Sequence, residues 1–185
     1  TNVFYLMKIY KITDDLYTQY ERIAPVWGTS SGMGCNLAWL KALVKIKEEK
    51  SFPVLVLESD ANQIKPLEDF DVPEDCDILY YGVCKFDEDP EKIWQETYHD
   101  VEGYPHLARL QRMGTTHAVS FFNIKAVQSA LEYTAAAVCN DVLLDVVWAH
   151  ELMDKFKVYA LREPVFTQGT SKEDNVYYEN TNIQL

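Results

Sequence analysis

Glu58 and Asp60 are the residues whose types and spacing most readily do chemistry. Two carboxylates bracket Ser59 directly after the apolar run PVLVL (53–57). Along a strand, residues i and i+2 share a face, so the two acids are expected to point the same way. Hard carboxylate oxygens suit Mg²⁺ or Mn²⁺, with water and phosphate oxygens completing an octahedron. At the carboxyl end of a parallel strand the pair stands where α/β sheets bind ligands. The competing reading is a plain strand end turning into a polar loop, since acid-x-acid triplets recur by chance.

Asp141 and Asp145 form a second pair, four residues apart on one face of a helix expected over 141–156. Asp141 stands at its start, where a carboxylate meets the helix dipole favourably. Read one way, Asp141 is a cap and Asp145 is solvated. Read the other, one of them is a general base that takes a proton from a hydroxyl. The stretch Trp27-Gly28-Thr29-Ser30-Ser31-Gly32-Met33-Gly34 precedes a helix, so its backbone N–H groups are either a phosphate cradle or an ordinary glycine-punctuated loop. It is neither a P-loop nor a dinucleotide fingerprint. His117 is a lone strand histidine, structural or ligand-facing. His150-Glu151 opens like a zinc-protease motif, but the second histidine is missing. Cys35 has no neighbouring histidine and no GxSxG elbow exists, which leaves nucleophilic triads without support.

The elements that must position these groups alternate. Strands are expected at 2–7, 53–57, 77–83, 116–122 and 158–161, and helices at 14–23, 36–50, 123–137 (capped by Asn123) and 141–156. Residues 85–113 show little periodicity and hold Trp94, Tyr98 and Tyr104, so they read as a functional loop or a disordered one. The tail from Ser171 is polar. This pattern predicts an α/β domain over 1–185, a whole protein or a fragment of a longer chain, with a mostly parallel central sheet and helices on both faces.

Net charge is −12, with 29 acids against 17 bases. Such a chain lacks the clustered Lys and Arg that capture nucleic-acid phosphates, and an anionic membrane repels it. A small polyanion would need a metal cation to hold it. No window approaches 18 apolar residues, so no transmembrane helix is expected. TNVFYLMKIYK lacks the pattern of a signal peptide. Cys35, Cys76, Cys84 and Cys139 are scattered without CxxC spacing, which suits reduced thiols and a cytoplasmic compartment.

Taken in order, Gly34-Cys35-Asn36-Leu37-Ala38-Trp39, LVLESDA, GTTHAVSFFNIKAVQSALE, NDVLLDVVWA and REPVFTQGTS resemble the motifs of glycosyltransferase family 25, the lipopolysaccharide and collagen galactosyltransferase-type group. The run covers residues 32 to 171. The chain also resembles chlorovirus glycosyltransferase domains implicated in capsid-protein glycans. Ser59 replaces the middle acid of the family's Glu-Asp-Asp, and Ala38-Trp39 stands where Ser-His is usual. The resemblance implies a GT-A fold, a nucleotide-sugar donor (commonly UDP-linked), Mn²⁺ or Mg²⁺, and a glycan acceptor. It also implies roles. Asp60 matches the metal-ligating acid, with Glu58 beside it, and Asp141 matches the catalytic base, with Asp145 as the other candidate. Gly34, Cys35, Ser59, His117 and Gln168 fall on the donor side. Trp94, Tyr98 and Tyr104 are candidates to stack on acceptor sugars. The expected activity is inverting glycosyl transfer, and the alternatives are a sugar nucleotidyltransferase or a non-catalytic domain that binds a glycan or partner.

Overall fold

The computed structural model describes residues 7–26, 31–68, 70–83, 98–111 and 117–168. In chain order the elements are β1 (Lys8–Ile12), β2 (Glu21–Ile23), α1 (Ser31–Glu49), β3 (Val54–Leu57), β4 (Ala61–Gln63), β5 (Ile78–Tyr80), β6 (Tyr98–Asp100), β7 (Leu107–Leu110) and β8 (Ala118–Phe121). They continue with α2 (Ile124–Asn140), α3 (Leu144–Val147), a π-helical turn (Trp148–Leu152), β9 (Val158–Leu161) and β10 (Phe166–Gln168).

Eight strands form one sheet in the order β2-β1-β3-β8-β5-β9-β7-β6, and β10 pairs with β4 in a second, two-stranded sheet. Following the pairings outward from β1, the strands β1, β2, β3, β5, β6 and β9 run one way, while β7 and β8 run the other. The sheet is therefore mostly parallel in direction, and β8 is the reversed strand at its centre.

Side chains alternate between two cores, as the pleat requires. Val54 and Val56 of β3, Ile78 and Tyr80 of β5, Val119 and Phe121 of β8, and Val158 and Ala160 of β9 join the helices in one cluster. Leu55, Leu57, Leu79, Ala118, Tyr159 and Leu161 point into the other, which holds only strand and loop residues. Among the described residues the helices thus lie on one face, not on both. Phe70, Val72, Val101 and Tyr104 pack over the other face from irregular chain.

Four local expectations change. The stretch 85–113, expected as a functional loop or a disordered one, carries strands β6 and β7 among its described residues. The helix expected over 14–23 is a turn leading into β2. The Thr13 hydroxyl accepts the Asp15 N–H (3.1 Å) and the Asp15 carboxylate accepts the Tyr17 N–H (2.9 Å). Short polar side chains here take the amides that a helix would have used. Helix α1 starts at Ser31, so Gly32 and Gly34 belong to its first turns. The long helix expected over 141–156 begins at Leu144 and passes into a π-turn. Asp141 instead closes α2, in the left-handed conformation (φ 52, ψ 44), with its N–H bonded to carbonyls of the preceding turn. Other expectations stand. Asn123 caps α2 through Oδ1 to the Ala126 N–H (3.0 Å), and the strand at 158–161 is β9. Residues 2–6 of the first expected strand lie outside the described residues, and β1 begins at Lys8.

At the edge of the sheet where β5 and β9 begin, the Asp77 carboxylate accepts from Asn123 Nδ2 (2.6 Å) and from the Lys157 N–H (2.8 Å). It ties β5, the α2 cap and the start of β9 together. The opposite edge carries the acids.

Candidate functional site

Strands β1 and β3 are adjacent and parallel, with Lys11 opposite Leu57. Their carboxyl ends therefore deliver Thr13-Asp14 and Glu58-Ser59-Asp60 to the same edge. A cleft of about 810 Å³ opens there, lined by Ile12, Thr13 and Asp14 after β1, Pro25 and Val26 after β2, and Gly32, Gly34, Cys35, Ala38 and Trp39 of α1. Glu58, Ser59, Asp60, Leu143 and Gln168 complete it. Six of the residues singled out by sequence (Gly34, Cys35, Glu58, Ser59, Asp60, Gln168) come together in this one cavity.

The two acids do not continue the strand. Ser59 and Asp60 form a turn closed by the Ala61 N–H donating to the Glu58 carbonyl (3.2 Å), so strand alternation no longer sets their directions. Glu58 faces α1. Cys35 and Trp39 are four residues apart and share a helix face. The Trp39 indole N–H (2.5 Å) and the Cys35 thiol (3.5 Å) both donate to Glu58 Oε1. Asp60 makes no side-chain hydrogen bond or ion pair among the described residues. Gln168 is brought in by the small sheet, where it pairs with Ala61, the residue after Asp60.

Glu58, Asp60 and Asp145 all act electrostatically on this corner. Burial pushes the Cys35 thiol well above its ordinary range, and the charges of Glu58, Asp145 and Asp60 push it further. Cys35 is thus a neutral thiol near pH 7, unsuited to nucleophilic or thiolate-metal chemistry. The buried Tyr80 hydroxyl is raised for the same reasons, first by burial, then by Asp145 and Glu58. Asp145 is the member of the second pair that reaches this corner, and its Oδ1 is buried. Neither aspartate lines the cleft, and Asp141 is exposed.

Among the described residues, no group of three or more His, Cys, Asp or Glu side chains is placed to hold a metal ion. The described residues by themselves form no protein cage of the zinc or calcium type. Mg²⁺-like ions bind instead through one or two carboxylates plus the ligand's phosphates, and that donor set matches Asp60 with Glu58 nearby.

His117 does not line the cleft. It is fully buried (0% exposed), with Nε2 3.4 Å from the Phe166 carbonyl oxygen. Its ring lies against Gly82, where an added Cβ would come within 2.9 Å of Nε2 and 2.0 Å of the Phe166 oxygen. It serves the site through its backbone, its carbonyl accepting the Glu58 N–H at 2.9 Å. Burial lowers its pKa to about 4, against a small raising effect of the Phe166 carbonyl. Between about pH 6.5 and 4 the unfolded chain therefore takes up a proton that the folded one refuses. Stability should fall as pH drops through that window, by up to roughly 3 kcal/mol, and level off below it. Urea unfolding at pH 7 and pH 4.5 checks this. His117→Asn should flatten this part of the pH dependence, and an unchanged slope would contradict the assignment.

Of the aromatic set, Tyr104 has a described side chain, and it does not line the cleft. Trp94 lies outside the described residues. Tyr98 begins the edge strand β6, opposite Leu110. Tyr104 packs on the helix-free face, edge-on to His106 (6.2 Å, 64°). Sequence reasoning missed Asp14, Leu143 and the buried Asn36. One signal was available for the first: KIYKITDD repeats the pattern of an apolar strand running into acids that singled out LESDA.

No family model matches the chain, and no curated protein matches it. Among solved structures, the chain is similar to the CTP:phosphocholine cytidylyltransferase of Streptococcus pneumoniae, with a TM-score of 0.38 at 15% identity. The match covers 76% of this chain and 61% of that one, so this chain spans about three-fifths of that protein's length. Among the described residues, no helix is long and apolar enough to cross a membrane.

Proposed function

We propose that the chain is a transferase acting on a nucleotide-activated substrate and, within that class, a metal-dependent inverting glycosyltransferase of the family 25 type. The observation that carries this reading is the polarity of the cleft. Its lining joins apolar side chains (Ile12, Pro25, Val26, Ala38, Leu143) to three acids (Asp14, Glu58, Asp60), and no Lys or Arg lines it among the described residues. A nucleoside suits the apolar side chains of this lining. Its diphosphate, set against three carboxylates and, among the described residues, no cationic side chain, calls for a divalent cation, Mn²⁺ or Mg²⁺. Such an ion would neutralise charge developing on the departing diphosphate.

The chain's own residues supply the rest. Asp60 holds the cation side of the donor, while Glu58 is anchored to α1 by Trp39 and Cys35. An acceptor hydroxyl attacks the anomeric carbon, the bond to the diphosphate oxygen breaks, and an aspartate takes the hydroxyl proton. Asp145, which acts electrostatically on Cys35, is preferred for that role over the exposed Asp141, although neither lines the cleft. One displacement without an enzyme nucleophile inverts the anomeric centre, through an oxocarbenium-like transition state.

One observation favours a second reading, a sugar nucleotidyltransferase. The Asp145 Oδ1 is buried and Asp141 lies off the cleft, and a sugar-phosphate nucleophile needs no protein base. In that reaction a phosphate oxygen attacks the α-phosphorus of a nucleoside triphosphate and pyrophosphate leaves. The products decide between the two. The protein with Mn²⁺ and a panel of nucleotide sugars is expected to release nucleoside diphosphate. Pyrophosphate release from a triphosphate plus a sugar phosphate would establish the second reading. Nucleotide or glycan binding without either product would make the domain a binding module.

A further inference from the structure

Between α2 and α3 the chain crosses the rim of the cleft at residues 141–144, and a buried side chain from the distant helix α1 grips it there. Asn36 is 2% exposed. Its Nδ2 donates to the Val142 carbonyl at 2.7 Å, and its Oδ1 accepts the Leu144 N–H at 3.1 Å. The two bonds bracket Leu143, the residue between them. We infer that Asn36 is a positioning residue: it holds Leu143 as a wall of the cleft and seats the turn carrying Asp145 against α1. This rests on the transferase reading of the cleft.

Each part of the arrangement has a local reason. The first amides of a helix lack partners within it and are normally met by a Ser, Thr, Asp or Asn just before it. Helix α3 has Leu143 in that position, and no side chain of its own caps it. Asn36 supplies the missing acceptor from 108 residues away. It also satisfies a carbonyl on the other side of Leu143, which needs a donor. A side-chain amide does both jobs, whereas a carboxylate of the same shape does one and repels the other.

Leu143 has no choice of seat. Its Cδ2 would lie 2.6 Å from a Cβ placed on Gly32, so it rests on the bare first turn of α1. It is nonetheless 53% exposed and lines the cleft. Asp145 follows two residues later, close enough to act electrostatically on Cys35 and Tyr80. The cleft therefore has a wall whose position depends on one buried amide.

The test compares Asn36→Asp, Gly32→Ala and a control, Asp77→Asn, at the opposite edge of the sheet. For Asn36→Asp we expect kcat to fall tenfold or more. The KM for the donor, and the affinity for UDP with Mn²⁺ by calorimetry, should stay within threefold. Amide exchange at residues 143–146 should quicken at least tenfold. Gly32→Ala pushes Leu143 into the cleft and should also lower kcat without quickening that exchange. Asp77→Asn should lower the thermal midpoint yet leave kcat unchanged below it, which separates positioning from simple destabilisation. Unchanged exchange at 143–146 in Asn36→Asp, or an unchanged kcat, overturns the inference. If the unmutated protein binds no nucleotide and turns over no donor, the transferase reading falls, and exchange alone still decides whether Asn36 holds the segment.

Discussion

Asp60→Ala is expected to abolish Mn²⁺-dependent nucleotide binding. Titration calorimetry with UDP and Mn²⁺ should show an affinity lower by at least about a hundredfold, roughly 2.7 kcal/mol. The thermal midpoint should barely move. Asp60 sits in an irregular turn and its carboxylate has no bond to lose among the described residues, and such replacements ordinarily change stability by about 0.5 kcal/mol or less. Loss of binding without loss of fold is the signature of a residue that serves the ligand. UDP binding that is indifferent to metal, or to this substitution, would refute the role given to Asp60.

Trp39 should show the opposite balance. Its side chain is fully buried, edge-on to Trp148 at 5.1 Å, and its indole N–H reaches Glu58 Oε1. Trp39→Ala removes a large aromatic from a packed core, at an expected cost of about 3–5 kcal/mol. Trp39→Phe keeps much of the volume but deletes the donor, costing about 1–3 kcal/mol. The bond can be isolated by a double-mutant cycle with Glu58→Gln in urea unfolding, where a coupling of about 1–2 kcal/mol is expected. Strict additivity would show that the contact holds nothing.

The sheet was legible because its strands announce themselves. PVLVL, DILYYGV and VYAL are apolar runs bounded by polar or turn-forming residues, and such runs become covered strands. The acids after PVLVL were legible for the same reason. The direction of each strand was not, because β8 looks like its neighbours in composition and only pairing reverses it. The helix expected at 14–23 failed because Thr13 and Asp15 use their side chains locally, a competition that apolar spacing does not register. Asp141 and Asp145 were read on one helix face, with Asp141 at its start and first choice as the base. A backbone that ends α2 at Asp141 and restarts at Leu144 separates them. Asn36 was invisible because its partners lie over a hundred residues away.

The reversed strand decides where the second half of the chain delivers its chemistry. Because β8 runs against β3, it starts beside Leu57, at the acid edge, and finishes beside Val54. The helix that follows must climb back, so its far end arrives at the edge from which β8 set out. Had β8 run with its neighbours, α2 would have carried residues 141–145 to the other rim, where Asp77 sits. One inverted strand thus folds the path from residue 117 to residue 145 into a loop that opens and closes at the same place. Carboxylates more than 80 positions apart in sequence act electrostatically on a single thiol because of it.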